Sequence, residues 1–243
     1  MRLNKYIALC GAASRRGADK LIADGKVAVN GEPVSSVGQD IDEAKDVVTV
    51  NGEKISPEKD NVYIMLNKPA GVISSCRDDR GRKTVVDLVK DVRKRVYPVG
   101  RLDYDTEGLL ILTSDGDFAY RCTHPKHEVN KNYYAEVEGP LDGKALKALR
   151  RGVVIDGRAT AKAQVELLGK DADVTKLNIT IHEGRNRQIK KMMQSVGCSV
   201  KYLKRIAIGA LELGDLERGK WRELSAEELM LLGTEKGSKN KSF

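Results

Sequence analysis

The sequence predicts an α+β protein in two parts: a small N-terminal domain, then a larger one built on a mixed, mostly antiparallel sheet. Three observations predict it. Strand-like apolar segments outnumber helical ones, turn residues separate most of them, and the charge pattern changes near residue 60. A length of 243 residues suits one large domain or two small ones. The 40% hydrophobic content excludes a wholly disordered chain, and no apolar run approaches the ~20 residues of a membrane helix. No apolar stretch follows residues 1–5, so a secretory signal is not expected.

Residues 1–60 open with two short helices. Leu3, Ile7 and Ala8 form a small apolar face, and Gly11 ends the first helix. Ser14 caps the second, Leu21 and Ile22 face inward, and Gly25 closes it. Val27 and Val29 alternate before the Asn30-Gly31 turn, and residues 48–53 repeat that pattern around Asn51-Gly52, giving two similar hairpins. A polar linker with Pro57 is expected over residues 55–61.

In the larger domain, residues 62–66 read as a short buried strand that Asn67-Lys68-Pro69 breaks. Residues 76–83 read as a surface loop, and 84–89 as a helical turn. Residues 109–112 form a continuous apolar run, as in a strand buried on both faces, with Ser114-Asp115-Gly116 turning out of it. A strand is expected over 133–137, then a helix capped by Asp142, carrying Leu146 and Leu149 and stopped by Gly152. Residues 153–155, Asp156-Gly157 and the alternating 163–167 suggest a hairpin, and 177–181 a half-buried strand. Ile189, Met192, Met193 and Val196 fall at helical spacing before Gly197. Strands over 200–203 and 211–213 follow, then a capping box at Ser225-Ala226-Glu227-Glu228 and a polar, basic tail at 233–243 that is expected to be disordered.

The net charge of +8 is unevenly spread. Residues 1–60 hold 9 basic and 10 acidic side chains, and residues 61–243 hold 34 and 25. Two basic clusters stand out: Arg2, Lys5, Arg15, Arg16 and Lys20 on the opening helices, and Arg185, Arg187, Lys190 and Lys191 at a helix start. A helix N-terminus already favours an anion, and four cations there would repel one another without an acidic partner. A polyanion is the implied partner.

No C-x-x-C pair occurs among Cys10, Cys76, Cys122 and Cys198, so reduced thiols in a cytoplasmic protein are expected. Pro125 between His124 and His127 breaks a helix, and no carboxylate cluster accompanies them, so no metal site is expected. G-x-G-x-x-G, G-x-x-x-x-G-K-[ST] and H-E-x-x-H are all absent, and no cofactor is expected.

Residues 2–31 resemble an S4 RNA-binding domain, which in that family presents the basic face of two helices to structured RNA. The ordered set Asn67-Lys68-Pro69-Ala70-Gly71, residues 100–116, Lys131-Asn132-Tyr133 and residues 183–192 resembles the RsuA/RluB group of pseudouridine synthases, the ribosomal large-subunit type most of all. The resemblance implies an S4 domain at 1–60 and a pseudouridine synthase domain at 61–232. It implies isomerisation of one ribosomal RNA uridine, in the large subunit, without cofactor. Asp103 would be the essential carboxylate, Tyr133 would pack on the base, and Lys190 would be the ionic partner of Asp103, with Arg185 or Arg187 as alternatives. Arg101, Lys68, Arg185, Arg187, Arg2, Lys5, Arg15, Arg16 and Lys20 would contact RNA. Asp103 would act either as a nucleophile or as a base on the sugar. The partner would be ribosomal RNA or a pre-ribosomal particle, met by a monomer away from membranes. The competing reading is a non-catalytic S4-type RNA-binding or ribosome-assembly factor.

Overall fold

The structure is a computed structural model that describes residues 1–57, 60–171 and 173–232. Part of the expected linker (58–59) and the tail (233–243) lie outside the described residues. The chain separates into two compact units. One comprises Met1–Val62 with Val92–Val96 and Ser114–Gly116, and the other comprises Tyr63–Asp91, Tyr97–Thr113 and the chain from Asp117.

The first unit begins with α1 (Leu3–Leu9) and α2 (Arg15–Ala23). The Ser14 hydroxyl accepts a hydrogen bond from the Gly17 amide at 3.0 Å and caps α2. Two hairpins follow, β1 (Val27–Val29) with β2 (Glu32–Pro33) and β3 (Val48–Val50) with β4 (Glu53–Lys54). Their turns put Asn30, Gly31, Asn51 and Gly52 at φ of 54°, 87°, 53° and 83°, the left-handed pair that a two-residue hairpin requires. β1 pairs with β3, so the two hairpins form one sheet in the order β2-β1-β3-β4. Leu3, Tyr6, Ile7, Ala18, Ile22, Val27 and Val48 make the core. Tyr6 and Ala18 fill places expected for Ala8 and Leu21, which stay half-buried because the helix faces are turned slightly from the expected stripe.

The second unit is a nine-stranded sheet. Its strands are β5 (Tyr63–Lys68), β6 (Tyr97–Val99), β7 (Glu107–Thr113), β8 (Lys131–Glu138), β11 (Gln164–Asp171), β12 (Val174–Ile181), β13 (Ser199–Ile208), β14 (Leu211–Glu212) and β15 (Trp221–Glu223). The main order is β11-β12-β8-β13-β7-β5-β15, with β14 added to β13 and β6 to β7. Among the described residues only β13 and β7 pair in parallel, so the sheet is mixed and mostly antiparallel. A separate ribbon pairs β9 (Val154–Ile155) with β10 (Arg158–Ala159). Helices α3 (Gly116–Thr123), α4 (Gly143–Arg151), α5 (Gln188–Ser195) and α6 (Ala226–Met230) complete the unit. Among the described residues no helix is long and apolar enough to cross a membrane.

β7 explains the apolar run at 109–112. It lies between β13 and β5, and all seven of its residues are buried. Three local expectations change. β5 does not break at Asn67 but continues through Lys68, because both residues pair with β7. The turn at Asp115 leads directly into α3, whose Phe118 and Cys122 are buried one turn apart. The Asp156-Gly157 hairpin returns through Arg158–Ala159, whereas residues 164–171 pair with β12.

Gly108 sets the contact between β7 and β13. Its φ is +105°, and a Cβ there would lie 2.2 Å from the Arg205 carbonyl oxygen. Both backbones would have to move to admit any side chain. Gly108→Ala is expected to lower the unfolding free energy by about 3 kcal/mol in urea titrations. A change under about 0.5 kcal/mol, the usual range for an indifferent site, would contradict this close approach.

Candidate active site

The sheet and α5 enclose a cavity of about 660 Å³ within the second unit, lined in part by Asp103, Tyr133, Lys190 and Arg205. Arg101, Arg185 and Arg187 also line it. Residues separated by up to 104 positions, Arg101 to Arg205, thus meet at one opening.

Asp103 lies on the loop between β6 and β7, and this loop is pinned from several sides. The Ser74 hydroxyl donates to the Leu102 carbonyl at 2.8 Å and accepts from the Leu102 amide at 3.1 Å. The Gly71 amide donates to the Tyr104 carbonyl at 2.8 Å, and the Thr106 amide to the Asp103 carbonyl at 3.1 Å. The central tie is Lys68. Its ammonium donates to the carbonyls of Pro69, Asp103 and Thr106 at 3.0, 3.1 and 2.9 Å, which uses all three of its donors. The side chain is 0% exposed. Lys68 was expected at the RNA surface; burial at the end of β5 removes it from that role and makes it the anchor of the Asp103 loop.

The ion pairs also differ from expectation. Lys190 pairs with Asp105, not Asp103, and Arg187 stands 3.8 Å from the same carboxylate. Asp105 reaches out to the start of α5, where Arg187 and Lys190 sit three residues apart, while Asp103 borders the cavity. Among the described residues the Asp103 carboxylate has no ion pair. Burial acts to raise the Asp105 pKa, but the Lys190 hydrogen bond and charge, with Arg187 behind it, hold it below the ordinary carboxylate value.

Arg185 is likewise engaged within the fold. Its guanidinium donates to the carbonyls of Ile155, Arg158 and Ala159 at 2.6, 3.2 and 3.3 Å. It fastens the β9–β10 ribbon to the approach of α5, so it is not a free RNA contact. The buried Gln188 reinforces that approach, accepting from the Arg185 amide at 3.0 Å and donating to Glu183 at 2.8 Å. Arg187 is the N-cap residue of α5 at φ 53°, exposed beside Asp105, and Arg101 is exposed at the cavity edge. Tyr133 lies on β8, only 8% exposed, with no hydrogen-bond partner for its hydroxyl among the described residues.

In the first unit, Arg15, Arg16 and Lys20 are exposed on α2, and Lys5 is half-buried on α1. Arg2 instead ties the N-terminus down, donating to the Gly38 carbonyl and pairing with Asp40 at 3.5 Å. Among the described residues no group of three or more His, Cys, Asp or Glu side chains is arranged to hold a metal ion.

Three further contributors are not among the expected site residues. Glu107 is buried, accepts from Arg218 at 3.1 Å and Tyr202 at 3.0 Å, and braces the start of β7. Lys131 opens β8 two residues before Tyr133, within the Lys131-Asn132-Tyr133 motif. Arg205 sits in an ordinary alternating strand.

A pocket with a pinned carboxylate and a buried tyrosine in one unit, and basic helices in the other, mark an enzyme acting on a polyanionic chain. The chain belongs to the RNA pseudouridylate synthase family. The model of that family matches residues 62–195, and the S4 domain model matches residues 1–48. The chain is 45% identical over 233 residues to an uncharacterized RNA pseudouridine synthase of Aquifex aeolicus, covering 96% of this chain and 93% of that protein. It is 46% identical over 233 residues to ribosomal large subunit pseudouridine synthase B of Bacillus subtilis, covering 95% of each. A solved pseudouridylate synthase aligns with a TM-score of 0.68 at 32% identity, covering 96% of this chain and 99% of the other.

Burial pushes the Lys68 ammonium down to about 8, against the opposing charges of Glu107, Asp105 and Asp103. An unfolded lysine titrates near 10.4, so between about pH 8 and 10.4 the unfolded chain binds more protons and this group's contribution to stability rises with pH. Lys68→Met is expected to lose about 2 kcal/mol at pH 7.5 through the orphaned carbonyls, to lose isomerase rate, and to keep its RNA affinity. The stability gap to wild type should widen from pH 8 to 10 in urea titrations. A constant gap, or a loss of RNA affinity alone, would contradict the anchoring role.

Proposed function

We propose that the protein converts a uridine of large-subunit ribosomal RNA to pseudouridine, with Asp103 as the catalytic carboxylate. The observation that carries this reading is the placement of Asp103, Tyr133 and Lys190 around one cavity that can admit a single base. The name and 46% identity of the Bacillus subtilis relative support the choice of RNA. A duplex stack hides the glycosidic bond, so the target nucleotide must swing out into the pocket. Tyr133 offers a flat apolar face to the uracil ring and a hydroxyl for proton traffic. Asp103 acts on the ribose as the N1–C1′ bond breaks. The ring turns, C5 bonds to C1′, the proton leaves C5, and N1 finishes protonated. Substrate and product are isomers, so the chemistry requires no redox partner.

Lys190 fits this reading as a cation stored on Asp105 beside the pocket. Its side chain is 14% exposed against 53% for Asp105, so the pair sits at the boundary of the protein and can re-form around an incoming nucleotide. Arg15, Arg16 and Lys20 on α2 supply exposed positive charge for RNA phosphates.

Asp103→Ala is expected to abolish pseudouridine formation, mapped along ribosomal RNA, while RNA binding persists. RNA binding by wild type with no pseudouridine on any ribosomal RNA would overturn the proposal in favour of a non-catalytic RNA-binding factor. Arg15→Glu with Arg16→Glu tests the first unit: RNA affinity should fall, and its dependence on log salt should become shallower by about two. An unchanged slope would remove α2 from the RNA contact.

A further inference from the structure

Two cations in the cavity wall form no ion pair among the described residues, although Asp103 lines the same cavity. Arg205 is 3% exposed. Its Nε donates to the Leu109 carbonyl at 2.7 Å, its Nη2 is buried without a partner, and among the described residues no carboxylate lies within ion-pair distance. Lys131 donates to the carbonyls of Val129 and His182, each at 3.0 Å, again with no ion-pair partner among the described residues. Burial, and then the positive charge of Arg205, push its ammonium down to about 8.

The fold places these groups beside Tyr133. Arg205 is the cross-strand partner of Tyr133 between β13 and β8, so both side chains project from the same face of the sheet. Lys131 precedes Tyr133 by two residues on β8 and shares that face. The β13–β8 register slips immediately after Arg205, a bulge of the kind that re-aims a side chain. On the other side of β13, the Arg205 backbone lies so close to Gly108 that a Cβ on Gly108 would collide with it. Arg205, Lys131 and Tyr133 all line the cavity with Asp103.

A buried charge without a counterion is strongly destabilising, and two like charges together are more so. Such a wall suits an anion brought by the substrate. RNA phosphates belong to the backbone outside the base pocket. Inside it, negative charge arises at one step, when the N1–C1′ bonding pair departs with the ring and spreads onto the two uracil carbonyl oxygens.

We propose that Arg205 is a further catalytic residue, which with Lys131 stabilises the uracil anion released inside the pocket. This rests on the pseudouridine reading above. The guanidinium donates a hydrogen bond to a uracil carbonyl oxygen as the charge develops. The charge is consumed when C5 bonds to C1′, after which C5 gives up its proton and N1 takes one. The interaction is stronger in the transition state than with neutral uridine, so it acts on the rate at saturation rather than on RNA binding.

The test is single-turnover pseudouridine formation on substrate RNA by the full chain, with RNA affinity and thermal unfolding measured on each variant. Arg205→Met should lower the rate at saturating RNA by about 100-fold, with RNA affinity within about twofold of wild type. Arg205→Lys should recover part of that loss, and Lys131→Met should lower the rate by about tenfold. A rate for Arg205→Met within about threefold of wild type would overturn the proposal, as would a loss confined to RNA affinity. If Arg205→Met does not fold, Arg205→Lys and Lys131→Met decide: wild-type rates in both overturn the proposal. An active wild type with unaffected variants sinks this proposal alone, whereas a wild type that forms no pseudouridine sinks the reading beneath it as well.

Discussion

The Lys68 ammonium joins the end of β5 to the loop that presents Asp103, and it does so without any exposed surface. Taking a lysine charge out of water destabilises the fold by several kcal/mol unless hydrogen bonds and nearby acids compensate. Here three backbone carbonyls take its donors, and Glu107, Asp105 and Asp103 supply opposing charge. The compensation requires the loop to stay where it is. Ser74 fixes Leu102 on one side, and the Thr106 amide closes the turn on the other. In the proposed reaction a carboxylate that must meet one carbon of a flipped nucleotide gains from such rigidity, because small errors of placement reduce rate steeply.

The remaining charges are sorted by use. Arg2 and Arg185 are engaged with the protein's own carbonyls, and Arg2 also with Asp40. Lys190 and Arg187 are gathered by Asp105. Arg15, Arg16 and Lys20 remain exposed on α2. Lys131 and Arg205 line the cavity without an ion pair among the described residues. A net charge of +8 therefore describes several populations, and only some of them are placed to meet phosphate.

Much of the architecture could be read in the chain because its signals are local. Ser14 and Asp142 cap helices, Asn-Gly pairs turn hairpins, and alternating residues 177–181 bury every second side chain. The ordered motifs also located the cavity, since Asp103, Tyr133 and Lys190 all border it. What stayed illegible depends on partners distant in sequence. Nothing near Lys68 reveals that carbonyls 35 and 38 residues away will take its ammonium. Lys190 lies 85 positions from Asp105 and 87 from Asp103, and no periodicity chooses between two acids on one loop. α3 was hidden because Ser114-Asp115-Gly116 reads equally as a turn and as a helix entry. Arg205 gave no sign because a basic residue in an alternating strand normally faces solvent, and only the neighbouring strands bury it.

The central claim is that a loop locked by Lys68 holds Asp103 against a uridine withdrawn from its helix. It is tested most directly by the structure of the Asp103→Asn protein bound to substrate RNA. The target uridine should lie outside the stack, its ring against Tyr133 and its C1′ within about 4 Å of residue 103, with the Lys68 contacts unchanged. A uridine still stacked in the RNA, or bound away from residue 103, would contradict it.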